Sequence, residues 1–348
     1  MLCCVMVAAM VVLGGATRLT ESGLSIVDWR PISGIFPPLN SAEWQSLFDA
    51  YRQSPEFKRT NFWMSLDDFK TIYWLEYLHR LWGRVIGLVF LIPFLWFVVR
   101  GQVSRGFALR LGAVFLLGGL QGLMGWYMVK SGLVDQPAVS QYRLAAHLVL
   151  AFIIYGCLLW LALGCLQPAT GNAAGLARGA IKFRRHAIGL VAGALLTVTA
   201  GAFVAGLDAG LAYNTFPKMD GRWIPEGVMQ LDPWWINFFE NTALVQFTHR
   251  ALGIGLLVLT LWLWLRVRAA RFVTRARRLV ELLAAIVTAQ AALGVATLLS
   301  EVPVTLGMAH QTGALASFTV AIWVVYELRF RPSAETYTRR PNNAAPSR

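Results

Sequence analysis

Long runs of apolar residues, separated by shorter polar stretches, dominate the chain. Several of these runs reach about 20 residues, which is the length that a helix needs to cross a bilayer. Helices are the expected spanning form, because backbone groups inside lipid must be satisfied within their own segment. The pattern predicts transmembrane helices at about residues 2–18, 77–99, 107–129, 144–165, 186–207, 243–265, 279–299 and 304–326.

Two stretches fit this scheme less simply. The first run is short for a span and no charged residue precedes it, yet it lacks the basic start and clear cleavage site of a secretory signal. We interpret it as a first membrane helix and expect its true start to lie upstream. The polar loop at 19–75 is long enough to need structure of its own. Short amphipathic helices near 41–53 and 65–75 are expected there, on or near the membrane face.

Composition supports a membrane protein and excludes a nucleic-acid-binding one. Hydrophobic residues make up 57% of the chain and charged residues 14%, against roughly a quarter charged in soluble domains. The net charge of +13 could suggest nucleic acid as a partner. The positive residues, however, lie in short loops between apolar runs, where membrane topology places them.

Basic residues gather on one side of the predicted helices. The loops after the second, fourth and sixth helices and the tail hold 18 arginines and lysines but only two acids, Glu327 and Glu335. The other loops hold most of the carboxylates. By the positive-inside rule the basic side is cytoplasmic. We therefore expect a multi-pass protein of the cell inner membrane, with both termini in the cytoplasm and loop 19–75 outside.

The sequence repeats at a low level. The segment Glu76–Gly83 matches Gln246–Gly253, and other matched positions follow the same order. These are Gln121 with Gln290, Gly125 with Gly294, His147 with His310, and the glycines around 14–24 with those around 201–211. We predict an all-α membrane protein whose eight transmembrane helices form two parallel-repeat four-helix bundles. The halves are 1–165, with the long outer loop, and 186–326, followed by a cytoplasmic tail at 327–348.

Four of the five histidines lie near the outer ends of even-numbered helices, at equivalent places in the two halves: His79, His147, His249 and His310. A histidine inside a bilayer is costly and is rarely without a function. Two facing helices that each offer an imidazole can hold a haem iron from both sides. Interhelical hydrogen bonding is the alternative, but the matched placement in two halves favours haem ligation.

An arginine follows the first histidine of each half. Arg80 and Arg250 could extend towards the outer interface or form a charge-assisted bond with a haem propionate. Both interpretations stay open.

One ionisable group distinguishes the halves. Glu76 lies three residues before His79, on the same helical face, whereas Gln246 occupies the matching position in the second half. Glu76 could face water, or it could serve as an acid or base inside a haem pocket.

Several short segments agree with those of one known family. They are Gly14–Ser25, Trp29 with Pro31, Pro37–Pro38, Phe69–Lys70, Trp74–Arg84, Ala146–His147, Asn214–Pro217, Gln246–Arg250 and His310–Gln311. On these segments, which span about residues 1–330, the chain resembles the haem A synthase family and is most similar to its mitochondrial and alphaproteobacterial form. The resemblance implies an oxidoreductase that converts the C8 methyl group of haem O to a formyl group, giving haem A for cytochrome oxidase.

The resemblance also implies roles for the site residues. His249 and His310 would ligate the iron of a permanent haem b, while His79 and His147 would border or ligate the iron of the substrate haem O. Glu76 would lie beside the reacting face. A haem O synthase is the expected partner in the pathway, and a homo-oligomer is left open.

Two other classes of protein remain alternatives. One is a di-haem b membrane electron carrier of the quinol-linked cytochrome b type, which would hold two permanent haems. The other is a transporter, since parallel repeats are common among transporters. A transporter would not need four histidines at matched depths and would be colourless when purified.

Overall fold

The computed structural model describes residues 1–29, 33–133, 139–166, 177–270 and 274–329. Within these ranges the fold is built from α-helices with a few short 3-10 turns. In chain order the α-helices are α1 Leu2–Leu19, α2 Ser41–Arg52, α3 Pro55–Arg59, α4 Leu66–Val99, α5 Arg105–Gly132, α6 Gln141–Leu166, α7 Ala177–Gly206, α8 Asn237–Glu240, α9 Thr242–Ala269, α10 Thr274–Leu299 and α11 Val304–Glu327.

The predicted number of transmembrane helices is confirmed. In the described ranges, eight helices are long and apolar enough to cross a membrane, namely α1, α4, α5, α6, α7, α9, α10 and α11. Each overlaps one predicted span, and most begin or end a few residues outside the predicted limits. The all-α membrane class is therefore established. The predicted tail at 327–348 lies outside the described residues from 330 onward.

The outer segment differs from its prediction in one respect. A short helix does occupy Ser41–Arg52, but the separate helix expected at 65–75 is wrong, because these residues are the first turns of the 34-residue helix α4. Ser65 and Asp68 form a reciprocal capping box at its start, in which the Ser65 N–H donates to the Asp68 carboxylate at 2.9 Å. This cap fixes the helix start well outside the apolar run.

The two halves of the chain meet along α1, α6, α7 and α11. Phe152 of α6 packs edge-on against Phe318 of α11, with ring centres 5.3 Å apart. Lower down the same pair of helices, the Tyr326 hydroxyl donates to the Leu163 carbonyl at 2.8 Å. The central helices of the fold are therefore the ones that carry, or lie beside, the site histidines.

An ion pair joins the two halves where α1 and α7 end. The Arg18 guanidinium donates to the Ala205 carbonyl at 2.6 Å and to the Asp208 carboxylate at 2.9 Å. It thereby ties the end of α1 to the end of α7.

Candidate functional site

The two histidines of the second half lie close together. His249 of α9 and His310 of α11 have ring centres 6.4 Å apart, with planes at 81°. An imidazole nitrogen binds a first-row metal at about 2.0–2.1 Å and lies about 1.1 Å from its ring centre, so two rings on one metal have centres about 6.3 Å apart. The observed separation therefore fits a single iron held between the two rings.

Second contacts orient these two rings. Nδ1 of His249 lies 3.1 Å from the Thr197 carbonyl oxygen on α7. When Nδ1–H donates to that carbonyl, Nε2 is left as the metal-binding nitrogen. The Gln290 amide nitrogen lies 3.1 Å from Nδ1 of His310 and donates to the His310 carbonyl at 2.8 Å. Each ring therefore has a polar neighbour at Nδ1, but only the Thr197 carbonyl can accept the Nδ1–H that accompanies a metal-binding Nε2.

A glycine on a neighbouring helix lies against each of the four site histidines. A Cβ added to Gly201 would lie 2.9 Å from Cε1 of His249, and one added to Gly294 would lie 2.7 Å from Cε1 of His310. In the first half, Gly14 stands in the same relation to His79 at 3.1 Å, and Gly125 to His147 at 3.2 Å. The missing side chains make room for the rings. We call each of these glycine surfaces, against which one histidine ring packs, the seat of that histidine.

The first-half histidines are seated in the same way but held less firmly. Nδ1 of His79 and Nδ1 of His147 are buried without a hydrogen-bond partner among the described residues. Gln121, at the position that matches Gln290, donates to the His147 carbonyl at 3.1 Å. Both halves therefore place a glycine against each histidine ring. Only in the second half does Nδ1 of both rings have a polar neighbour among the described residues.

Glu76 is a buried carboxylate that three donors contact. Its side chain pairs with Arg80 at 2.5 Å and accepts hydrogen bonds from the Ser25 hydroxyl at 2.7 Å and the Ile26 N–H at 2.8 Å. Arg80 also donates to the Ile26 carbonyl at 3.1 Å. Only 2% of Glu76 is exposed, so the interpretation in which it faces water is wrong. The carboxylate ties the segment after α1 to the helix that carries His79.

The matching residues of the second half form a similar anchor without a charge on the acceptor. Gln246 donates to the Ala209 carbonyl at 2.7 Å and accepts from Arg250 at 2.9 Å. Arg250 donates to the Tyr213 carbonyl at 2.6 Å. Glu76 and Gln246 therefore each bind the following arginine and a nearby backbone segment, and they differ in charge.

A cavity of about 480 Å³ lies beside α4 in the first half. Arg80, Arg84 and Tyr77 line it from α4, and loop 19–75 contributes Phe36 together with the carboxylates of Asp28 and Glu43. The two guanidinium groups on the α4 wall suit an anionic group. A cavity of this kind beside the His79 helix could receive the acidic edge of a haem.

Sequence reasoning identified the four histidines, both arginines and Glu76, but not the residues that hold them. Thr197, Ser25 and the backbone of Ile26 were missed, and the glycines were seen only as parts of a repeat. The repeat was the available signal, because each of these glycines recurs at a fixed position relative to a histidine.

Comparison with known proteins points to one family. Residues 1–322 match the profile of COX15-CtaA, described as a cytochrome oxidase assembly protein. A heme A synthase from Nitrosospira multiformis is 53% identical over 329 residues, which are 94% of this chain and 91% of that protein. The Arabidopsis thaliana protein named heme A synthase COX15 is 46% identical over 347 residues, covering 97% and 75%. A heme A synthase from Paramagnetospirillum magneticum is 48% identical over 328 residues, covering 94% and 91%.

Proposed function

This chain belongs to the COX15-CtaA family of cytochrome oxidase assembly proteins, and we propose that it is a membrane-bound haem A synthase. The activity is the oxidation of the C8 methyl group of haem O to the formyl group of haem A. The observation that carries the proposal is the pair of opposed imidazoles, His249 and His310, with ring centres 6.4 Å apart. Relatives that share about half of their residues with this chain bear the same name.

In this proposal the second half holds a permanent haem b. His249 and His310 would hold its iron, with the Thr197 carbonyl and the Gln290 amide next to Nδ1 of the two rings. Arg250 lies one residue beyond His249, at the outer end of the same helix. When bound, such a haem accepts and passes on single electrons, and the protein sets its position and electrostatics.

The first half receives haem O, between His79 and His147. Their Nδ1 atoms have no hydrogen-bond partner in the described structure, so these rings are oriented by packing and not by a hydrogen bond at Nδ1. A substrate that must leave after reaction is better served by such a site than by one with rigid ligands. The arginine-lined cavity beside α4 supports placing the propionates there, with Arg80 among the binding residues.

The reaction needs two successive two-electron oxidations. The methyl group first becomes an alcohol, and the alcohol then becomes a hydrated aldehyde that loses water. Protons leave with the electrons, so a nearby carboxylate can accept one or orient a water molecule. Glu76 is our candidate for this carboxylate. An ionised carboxylate has about four acceptor positions, and three donors contact Glu76, which leaves about one position for a proton or a water molecule.

The cellular setting belongs to the same proposal. The loop charges favour the inner membrane with both termini in the cytoplasm. A haem O synthase would supply the substrate, and assembly into a homo-oligomer is compatible with the fold.

Haem extraction tests the proposal against the di-haem carrier. Cells that make haem O but lack this chain would be compared with cells that express it, and extracted haems would be separated by chromatography. We expect haem A only with the chain present. Two tightly bound haem b groups per chain, with no haem A under any condition, would identify an electron carrier instead.

A further inference from the structure

Helix α1 lies against both halves, and two adjacent glycines face different partners. Gly14 forms the seat of His79 in the first half. Gly15 faces Gln311 of α11, where an added Cβ would lie 2.5 Å from the side-chain amide oxygen and 2.9 Å from Cδ. The His79 and Gln311 side chains therefore lie too close to α1 for a larger residue at position 14 or 15. A movement of α1 would alter both contacts.

Gln311 connects the second-half ligand helix to this point. It directly follows His310 in the chain, and its amide donates to the Val11 carbonyl of α1 at 2.7 Å. That carbonyl lies one helical turn before Gly15. The absence of a side chain at Gly15 is what lets the amide reach across the surface of α1 to Val11.

The corresponding contact on the other side of the molecule is apolar. Leu148 follows His147 as Gln311 follows His310, and Ala202 follows Gly201 as Gly15 follows Gly14. Ala202 is buried in a cluster with Ala145, and Leu148 packs against that cluster. The polar contact between α1 and α11 therefore has an apolar counterpart between α7 and α6.

We propose that Gln311 is a positioning residue that fixes α1 against α11 and thereby sets the seat of His79. The identity of the two haem sites rests on the proposed function, but the contact itself does not. The helix that ligates iron in the second half would then determine the geometry of the substrate site in the first half.

The physical reason lies in how helices associate within lipid. Apolar contact alone does not fix the register of two helices there, whereas small residues and interhelical hydrogen bonds do. The Gln311 bond supplies such a constraint at the level of Gly14. We expect the His310 ring to keep its place without this bond, because Gln290 and Gly294 contact that ring from another helix.

The test compares Gln311→Leu, which copies the apolar counterpart, with Leu148→Met as a volume-matched control on the other side. Purified proteins would be titrated with ferric haem while absorption and electron paramagnetic resonance spectra are recorded. For Gln311→Leu we expect first-half haem affinity to fall on the order of three- to tenfold, as for one lost interhelical hydrogen bond in a membrane. The first-half resonance should shift, while the second-half low-spin signal stays as in the unmodified protein.

Gly15→Ala gives a second route to the same point, should Gln311→Leu fold poorly. It should displace the amide and reproduce the first-half defect, and the double variant should be no worse than either single one. Unchanged first-half affinity and resonance in both variants would overturn the proposal. So would a loss of the second-half haem in Gln311→Leu, since the residue would then support only its neighbour His310. These readouts do not require haem A formation, whose absence from the unmodified protein would instead refute the proposed function.

Discussion

Each site histidine depends on a residue that contributes no side chain. A ring that must meet an iron atom has to be placed within a few tenths of an ångström, and a glycine opposite its edge lets two helices approach closely enough to do this. Gly14, Gly125, Gly201 and Gly294 provide these seats. Glycine is common in membrane helices, so its role at these positions could be assigned only once the facing ring was known.

Removal of an axial ligand should strip the second-half haem. His249→Ala or His310→Ala leaves one imidazole facing an empty space where the other ring stood, and a six-coordinate low-spin iron cannot form. We expect most of the low-spin absorption of the purified protein to disappear in either variant. His186→Ala is the control, because the Nδ1 of that histidine contacts the Lys182 carbonyl of its own helix and not another site residue. A normal spectrum in both ligand variants would contradict the assignment.

A methyl group at a histidine seat should have a similar but smaller effect. In Gly201→Ala the new Cβ would lie 2.9 Å from Cε1 of His249, so the ring or the helix must move. Overpacking of this kind costs about 1–3 kcal/mol, which should speed haem loss on the order of tenfold. Gly189→Ala in the same helix meets nothing within 4 Å and should retain haem normally. Equal haem retention in the two variants would argue against the seat.

At the scale of elements, the outer segment shows where sequence patterns are insufficient. The residues at 65–75 are amphipathic and charged, which favoured a separate surface helix, yet they continue into α4 without a break. No glycine or proline interrupts residues 65–77, so this segment contains no residue that would break a helix. The extended helix then carries Phe69 and Tyr73 into a cluster with Phe48 and Tyr51 of α2.

A buried carboxyl stabilises this outer segment. Glu56 of α3 accepts a hydrogen bond from the Tyr51 hydroxyl at 3.0 Å, and Asn61 donates to that hydroxyl at 2.8 Å. Burial, opposed by the Tyr51 hydrogen bond and assisted by the Glu76 and Glu21 charges, raises the pKa of Glu56 from 4.5 to about 8. The folded segment therefore favours the protonated acid.

The stability of the outer segment should fall as pH rises. Because the folded pKa lies above the unfolded one, the contribution of Glu56 is fully present below about pH 4.5 and is lost as pH rises through about 8. We expect hydrogen-exchange protection of residues 41–61 to weaken between pH 5 and pH 9, by on the order of 1–3 kcal/mol. Glu56→Gln, which cannot ionise, should abolish this trend. If the hydrogen-exchange protection of the unmodified protein does not change with pH, the ionisation of Glu56 does not determine the stability of this segment.

At the scale of the whole molecule, the helices could be predicted from the sequence because a lipid environment demands them. The tertiary contacts between the helices could not be predicted in this way. Long apolar runs must be helical in a bilayer, which is why the eight spans could be located from hydropathy. The partners of Glu76 could not be, since Ser25 and Ile26 reach it only through the path of the chain after α1. The matched histidines predict a site because a repeat constrains pairs of residues far apart in sequence, and the role of these histidines as haem ligands stays a prediction. The parallel arrangement of the two halves stays a prediction.

Membrane orientation can be tested directly. The charge bias places the segment around residue 50 outside and the end of α9 in the cytoplasm. Reporter fusions at residues 50 and 270 should therefore give opposite signals with a periplasmic and a cytoplasmic reporter. Identical signals would rule out this orientation.

The two halves should differ in what they require at positions 76 and 246. Both residues anchor an outer segment and an arginine, yet only Glu76 carries a charge. A haem that merely transfers electrons needs no base beside it, whereas a methyl oxidation that releases protons gains roughly 10²–10⁴ in rate from one. We therefore expect the charge at position 76 to serve the chemistry of the first half.

Glu76→Gln should lower haem A formation by roughly 10²–10⁴-fold, the range for a lost acid or base, while the second-half haem stays bound and haem O or a hydroxylated intermediate accumulates. Ser25→Ala separates chemistry from anchoring, because it removes one hydrogen bond to the carboxylate and keeps the charge. Extracted haems from cells with either variant would be quantified by chromatography, and Ser25→Ala should retain most of the activity. If both variants lose activity equally, or if Glu76→Gln forms haem A at the normal rate, Glu76 is an anchor and not an acid or base of the reaction.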